Sequence, residues 1–130
     1  KVVTPIQLQA YERLVLFLER ITPDSLLVRT QSDSYTAIQL HAALLTVIRA
    51  EYEHNVAQQI YVSAEAWEVV KNAKESIVQL INACAAQVDP QGPSVDLAKA
   101  ILATYENSTS APTMVAISFL KTELKTYFSA

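Results

Sequence analysis

Residues 36–61 read TAIQLHAALLTVIRAEYEHNVAQQIY, and their apolar spacing decides the fold. Thr36, followed three positions later by Gln39, is the grammar of a capping box, in which each side chain satisfies the other residue's backbone N–H at a helix start. From there apolar residues recur at three and four. Leu45, Ile48, Tyr52 and Val56 define a main stripe. A second, weaker stripe of Leu40, Leu44 and Val47 turns polar through Glu51, His54 and Gln58. The spacing predicts one long helix to about Tyr61, apolar on two sides in its first half.

The same signals recur along the chain. Thr4, Pro5 and Gln7 open a first helix that runs to about Ile21 and stops before Pro23. Ser63 caps a third helix ending near Val88, with Glu65 in its electropositive first turn. The loop DPQGP (89–93) precedes a short helix from Ser94 to about Glu106, and NSTSAP (107–112) breaks the chain before a last helix from Pro112 to Phe128. On that helix Ile117, Leu120, Leu124 and Phe128 share one side. SLLVRTQSD (25–33) holds three consecutive apolar residues, one of them β-branched, and reads as a packed connector, with strand pairing across a dimer as the alternative. A single glycine leaves little material for hairpins. The expectation is all-α: one compact bundle of about five helices, two of them long, spanning 1–130 as one domain.

Composition narrows the function. Hydrophobic residues make up 51% and charged residues 18%, against about 25% charged in an average domain, so apolar surface is in excess. A net charge of -3, with no run of Lys or Arg, disfavours nucleic acid. No stretch is long and apolar enough to span a bilayer, so the chain itself reads as soluble. The lone Cys84, at helical spacing from Ile77, Ile81 and Val88, is expected to be a buried, inert thiol. The chain opens at Lys1 without an initiator Met, and an upstream portion is expected.

Glu51 and His54 form a Glu-x-x-His pair, the spacing used by di-iron and di-manganese helical bundles. Such a site needs two of these pairs and a further Glu from each of two other helices, about six protein ligands in all. The other histidine, His41, has Ile38 three residues before it, so the second half is missing. On the helical wheel His54 also falls nearly opposite the centre of the main stripe. Glu51 and His54 are therefore the only metal candidates, and a solvated or interface-rim role is preferred for them. His41 lies on the main stripe and reads as a packed histidine bonded to a carbonyl. Glu51, Glu53, Glu65 and Glu68 read as salt-bridging carboxylates, with Arg49 and Lys71 as nearby partners. No nucleophile elbow, zinc-protease motif, phosphate loop or Cys–His pair is present, so no catalytic or cofactor-binding residue, no cofactor and no small-molecule substrate is assigned.

The second stripe of the long helix says more. RLVLFLER (13–20) is apolar nearly all round, and Leu40, Leu44 and Val47 add a second apolar face, so each helix needs cover beyond one neighbour. Either these helices sit centrally in the bundle or they bind another chain; in the second case Leu40, Leu44 and Val47, with the exposed part of RLVLFLER, are the expected interaction surface.

TPIQLQAYERLVLFLERI (4–21), ITPDSLLVRT (21–30) and AALLTVIRAEYEHNVAQQIYVSAEAWEVVKNAKE (42–75) together resemble an uncharacterised family of membrane-anchored helical proteins from Bacteroidota. The resemblance implies a hydrophobic helix just upstream of Thr4-Pro5. It would place this domain at the inner membrane; the cytoplasmic side is expected separately, from a lone cysteine that leaves no internal disulfide. It assigns no activity. The leading expectation is a non-enzymatic helical interaction or scaffold module that binds a protein partner. A metal- or ligand-binding bundle using Glu51 and His54, and a purely self-associating structural domain, are the alternatives.

Overall fold

The computed structural model describes residues 3–108 and 111–128. Its elements are α1 (Pro5–Ile21), α2 (Pro23–Thr30), α3 (Ala37–Asn55), a 3-10 turn (Val56–Tyr61), α4 (Ala64–Ala85), α5 (Ser94–Glu106) and α6 (Pro112–Phe128). The architecture is all-α, with six α-helices instead of about five. Among the described residues no strand forms, and one isolated antiparallel bridge joins Thr36 to Pro93.

The caps form as the sequence writes them. Thr4 Oγ1 accepts from Gln7 N at 3.1 Å while Gln7 Oε1 accepts from Thr4 N at 3.0 Å. Thr36 and Gln39 repeat the exchange at 3.4 and 2.9 Å, and Ser63 Oγ accepts from Ala66 N at 3.0 Å. The DPQGP loop helps to start α3, because Ala37 N and Ile38 N donate to the carbonyls of Gly92 and Pro90. Those are two of the donors that a helix start cannot satisfy internally.

The additional helix is α2, where a connector was expected. Pro23 occupies its first turn, Asp24 lies in that turn and Arg29 in the last, an arrangement matched to the helix dipole. The apolar run misled because it is read by facing: Leu26 and Leu27 are buried, whereas Val28 is 85% exposed. A single residue, Thr22, in extended backbone, separates α2 from α1. The long helix also ends sooner than expected, giving way to the 3-10 turn at Val56, and α4 stops at Ala85.

Both stripes of α3 face inward. Ala37, Leu40, Leu44 and Ile48 are its fully buried residues, while Leu45, Val47, Tyr52 and Val56 pack on the edges of the core. The cause is position: α3 is gripped by α1, α2, α4 and α5, so its wide apolar arc is consumed within the bundle. The expected interaction surface is thereby corrected. Leu40 and Leu44 have no exposure at all, and Val47 is half-buried against the core.

Two polar chains cross this core. Thr113, fully buried, lies 2.6 Å from Tyr105 Oη and 3.0 Å from Thr22 Oγ1, which is 2.9 Å from the carbonyl of Leu18. With one proton per hydroxyl, donation runs from Tyr105 through Thr113 and Thr22 to that carbonyl, tying α5, α6 and α1 together. The second chain centres on Glu123, whose Oε1 accepts from Tyr11 Oη at 2.5 Å and from Ser63 Oγ at 2.6 Å. These contacts also set the course of α6. Tyr11 meets residue 123 and Thr22 meets residue 113, so α6 runs antiparallel to α1.

Candidate functional site

Glu51 sits in the last turns of α3, facing the carboxyl ends of α1 and α2. Arg20 grips Glu51 Oε1 through Nη2 at 2.6 Å and Nε at 2.7 Å, and Arg29 Nη1 reaches the same oxygen at 3.5 Å. Arg29 Nη2 also donates to the carbonyl of Arg20, capping the end of α1. The hydrogen bond from Arg20 holds the Glu51 carboxyl below its ordinary range, against the opposing effect of its partial burial. The arrangement is a clamp that closes the ends of three helices. His54 is exposed on the rim of this cleft, with Arg13, Leu16 and Asn55. Among the described residues no group of three or more His, Cys, Asp or Glu side chains converges as a metal site.

The clamp has a pH signature. Because the folded-state pKa of Glu51 lies below its ordinary value of 4.5, its contribution to stability is complete above that value and is lost as pH falls through the folded value. Glu51→Gln is expected to lower the melting temperature by a few degrees near ~pH 7. The gap to the wild type should narrow as pH falls below 4.5. A constant gap across that range in thermal scans would show that the carboxylate's charge contributes nothing.

His41 differs from expectation in detail. It is half-buried, and its Nε2 lies 2.7 Å from the side-chain Oδ1 of Asn82. The pair sits in a shallow hollow with Ile38, Ala85 and Pro90, between the start of α3 and the end of α4. Of the four carboxylates grouped in sequence, Glu68 pairs with Lys71 at 3.7 Å, and Glu51 finds partners in α1 and α2 that its neighbourhood in sequence did not reveal. Cys84 is buried, with Sγ 3.4 Å from Thr104 Oγ1. Tyr52 stacks on Trp67 at 5.6 Å between ring centroids, and Lys74 Nζ lies 4.3 Å from the Tyr52 ring centre.

A strongly apolar surface feature lies on α1 and α6. Between these antiparallel helices runs an open groove of about 370 Å³. Tyr11 and Leu120, both buried, form its floor, and half-buried Val15 and Leu124 its walls. On its rim Leu16 is 58% exposed, flanked by Glu12 and Glu19 on α1 and faced by Lys121 on α6. Other exposed apolar residues include Val28, the neighbours Ile60 and Tyr61, and the neighbours Met114 and Val115; exposed apolar side chains of this kind are ordinary for a protein surface. Sequence reading marked RLVLFLER as needing cover. It did not identify α6 as the helix opposite, because only the antiparallel pairing brings Leu120 and Leu124 alongside Leu16.

The fold and surface define an all-α bundle whose polar side chains form caps, clamps and core ties, with an apolar groove open between α1 and α6. The chain belongs to a family of unknown function, DUF7935, which residues 1–127 match. No curated protein and no solved structure matches it. No helix among the described residues is long and apolar enough to cross a membrane.

Proposed function

We propose that this chain is a non-enzymatic helical interaction module, tethered by an upstream helix at a bacterial inner membrane, and that it docks a protein partner in the α1–α6 groove. The observation that carries the docking reading is the juxtaposition of a 58% exposed Leu16 with the apolar floor and walls of that groove. Exposed leucine beside an apolar furrow is surface that a partner helix covers at a gain of roughly 25 cal/mol per Å² of apolar area. The tether and the Bacteroidota origin are supported by the resemblance of residues 4–30 and 42–75. A free, buried Cys84 accords with a reducing compartment.

The test uses the full-length protein in its native membranes. Leu16→Glu is expected to abolish recovery of a stoichiometric partner by affinity purification and quantitative mass spectrometry. Stability should change by no more than about 0.5 kcal/mol, because the substitution is on the surface. Retention of the same partner by the variant would overturn the docking face. Recovery of the wild type only with itself would replace the scaffold reading with a self-associating structural domain.

A further inference from the structure

We infer that the occupant of the α1–α6 groove is an amphipathic helix carrying Lys or Arg along the edge that lies over α1. The inference rests on the docking reading above and adds the partner's chemistry. Glu12 and Glu19 are seven residues apart, two turns or roughly 10 Å along α1, and both are exposed on the groove's rim. Neither carboxylate is ion-paired among the described residues, whereas Glu51 pairs with two arginines and Glu68 and Glu75 with one lysine each. The opposite rim carries Lys121. The groove is thus apolar along its floor, acidic on one bank and basic on the other. A helix with residues at i and i+7 on one edge repeats the spacing of Glu12 and Glu19.

Other modes of docking fit less well. Strand addition needs a sheet edge, and no strand forms among the described residues. A polyproline ligand needs a platform of exposed aromatic rings, whereas the groove's one aromatic residue, Tyr11, is 1% exposed. An anionic bilayer would be repelled by the paired carboxylates. A furrow between two antiparallel helices, by contrast, accepts the ridge of a third helix.

The experiment uses two fluorescent helical peptides with the same leucine face, one with lysines along the edge and one with glutamates. Each is titrated into the full chain and into two variants, Leu16→Glu and Glu12→Lys/Glu19→Lys, with anisotropy as the readout. The lysine-edged peptide is expected to bind the wild type about tenfold more tightly than the glutamate-edged one. The double charge reversal should invert that order, and Leu16→Glu should abolish both. Equal binding of both peptides, lost in Leu16→Glu, would overturn the charge assignment and leave the docking face standing. Binding that is absent, or insensitive to Leu16→Glu, would overturn both. Leu16-dependent dimerisation of the wild type, seen by sedimentation, would make a second copy of this chain the occupant and overturn the basic-edged partner.

Discussion

Replacing Leu44 with alanine is expected to destabilise the protein by about 2–5 kcal/mol, a large share of the roughly 5–15 kcal/mol that holds a domain of this size together. Leu44 has no solvent exposure, and it lies on α3 where α1, α2, α4 and α5 close around that helix. Truncation removes the transfer free energy of the lost methyl and methylene groups. It also leaves a cavity that four neighbouring helices, each pinned elsewhere, cannot collapse to fill. Urea unfolding followed by far-ultraviolet circular dichroism measures the loss as a fall in midpoint with little change in slope. Leu16→Ala provides the contrast: truncation of a half-exposed leucine on the groove rim should cost well under ~1 kcal/mol. Comparable stabilities for the two variants would mean that α3 presents a surface and that the packing described above is wrong.

That contrast shows where sequence was sufficient and where it was not. Helix starts are local events. Thr4 with Gln7, Thr36 with Gln39 and Ser63 with Ala66 meet their partners within three residues, so the pattern contains the whole interaction. The start of α5 at Ser94 and the span of α6 were legible for the same kind of reason, since a proline-rich loop and a polar break enclose them. Periodicity on α3 reveals two apolar stripes but not their rank: the one that reads as weaker supplies the fully buried Leu40 and Leu44, while Leu45, Tyr52 and Val56 of the main one are half-buried. What it could not supply is the number of neighbours that would grip the helix, and that number decides whether Leu40 and Leu44 are surface or core. α2 was lost because three apolar residues in a row satisfy strand and helix templates alike, and only tertiary packing buries Leu26 and Leu27 while exposing Val28.

The candidate sites divide in the same way. Glu51 reads from sequence as solvated or rim-placed and salt-bridged to near neighbours such as Arg49 and Lys71, whereas it is partly buried and held by Arg20 and Arg29. Arg20 and Arg29 lie 31 and 22 residues away in sequence, brought in by the turn at Thr22 and the return of α3. The docking groove was half legible, through the excess of apolar residues in RLVLFLER. Its other bank depends on α6 running back along α1, a relation fixed by contacts such as Tyr11 with Glu123 and Thr22 with Thr113. Those contacts link the two ends of the chain, and no local pattern announces them.

The Glu123 junction is expected to give the protein a distinctive loss of stability in alkali. Tyr11 is 1% exposed. Its burial, together with hydrogen bonds to Glu123 and Tyr127 and the charge of Glu123, pushes its phenol well above the ordinary value of 10.0, outweighing an opposing bond from the Ser63 backbone. The folded state therefore keeps this proton at a pH where the unfolded chain gives it up. Stability is complete below about pH 10 and falls as pH rises beyond it, by at most a little over ~1 kcal/mol per pH unit for this one group. Tyr11→Phe should remove that component, so the difference between the two stability profiles isolates it. Glu123→Ala is the harsher change. It deprives the buried Tyr11 hydroxyl and the Ser63 hydroxyl of their common acceptor, at a cost of about 1–3 kcal/mol near neutral pH, and it removes one polar tie from α6 to α1 and to the start of α4. Parallel wild-type and Tyr11→Phe profiles above about pH 10 would show that Tyr11 ionises inside the fold, and the junction would then hold no proton against solvent.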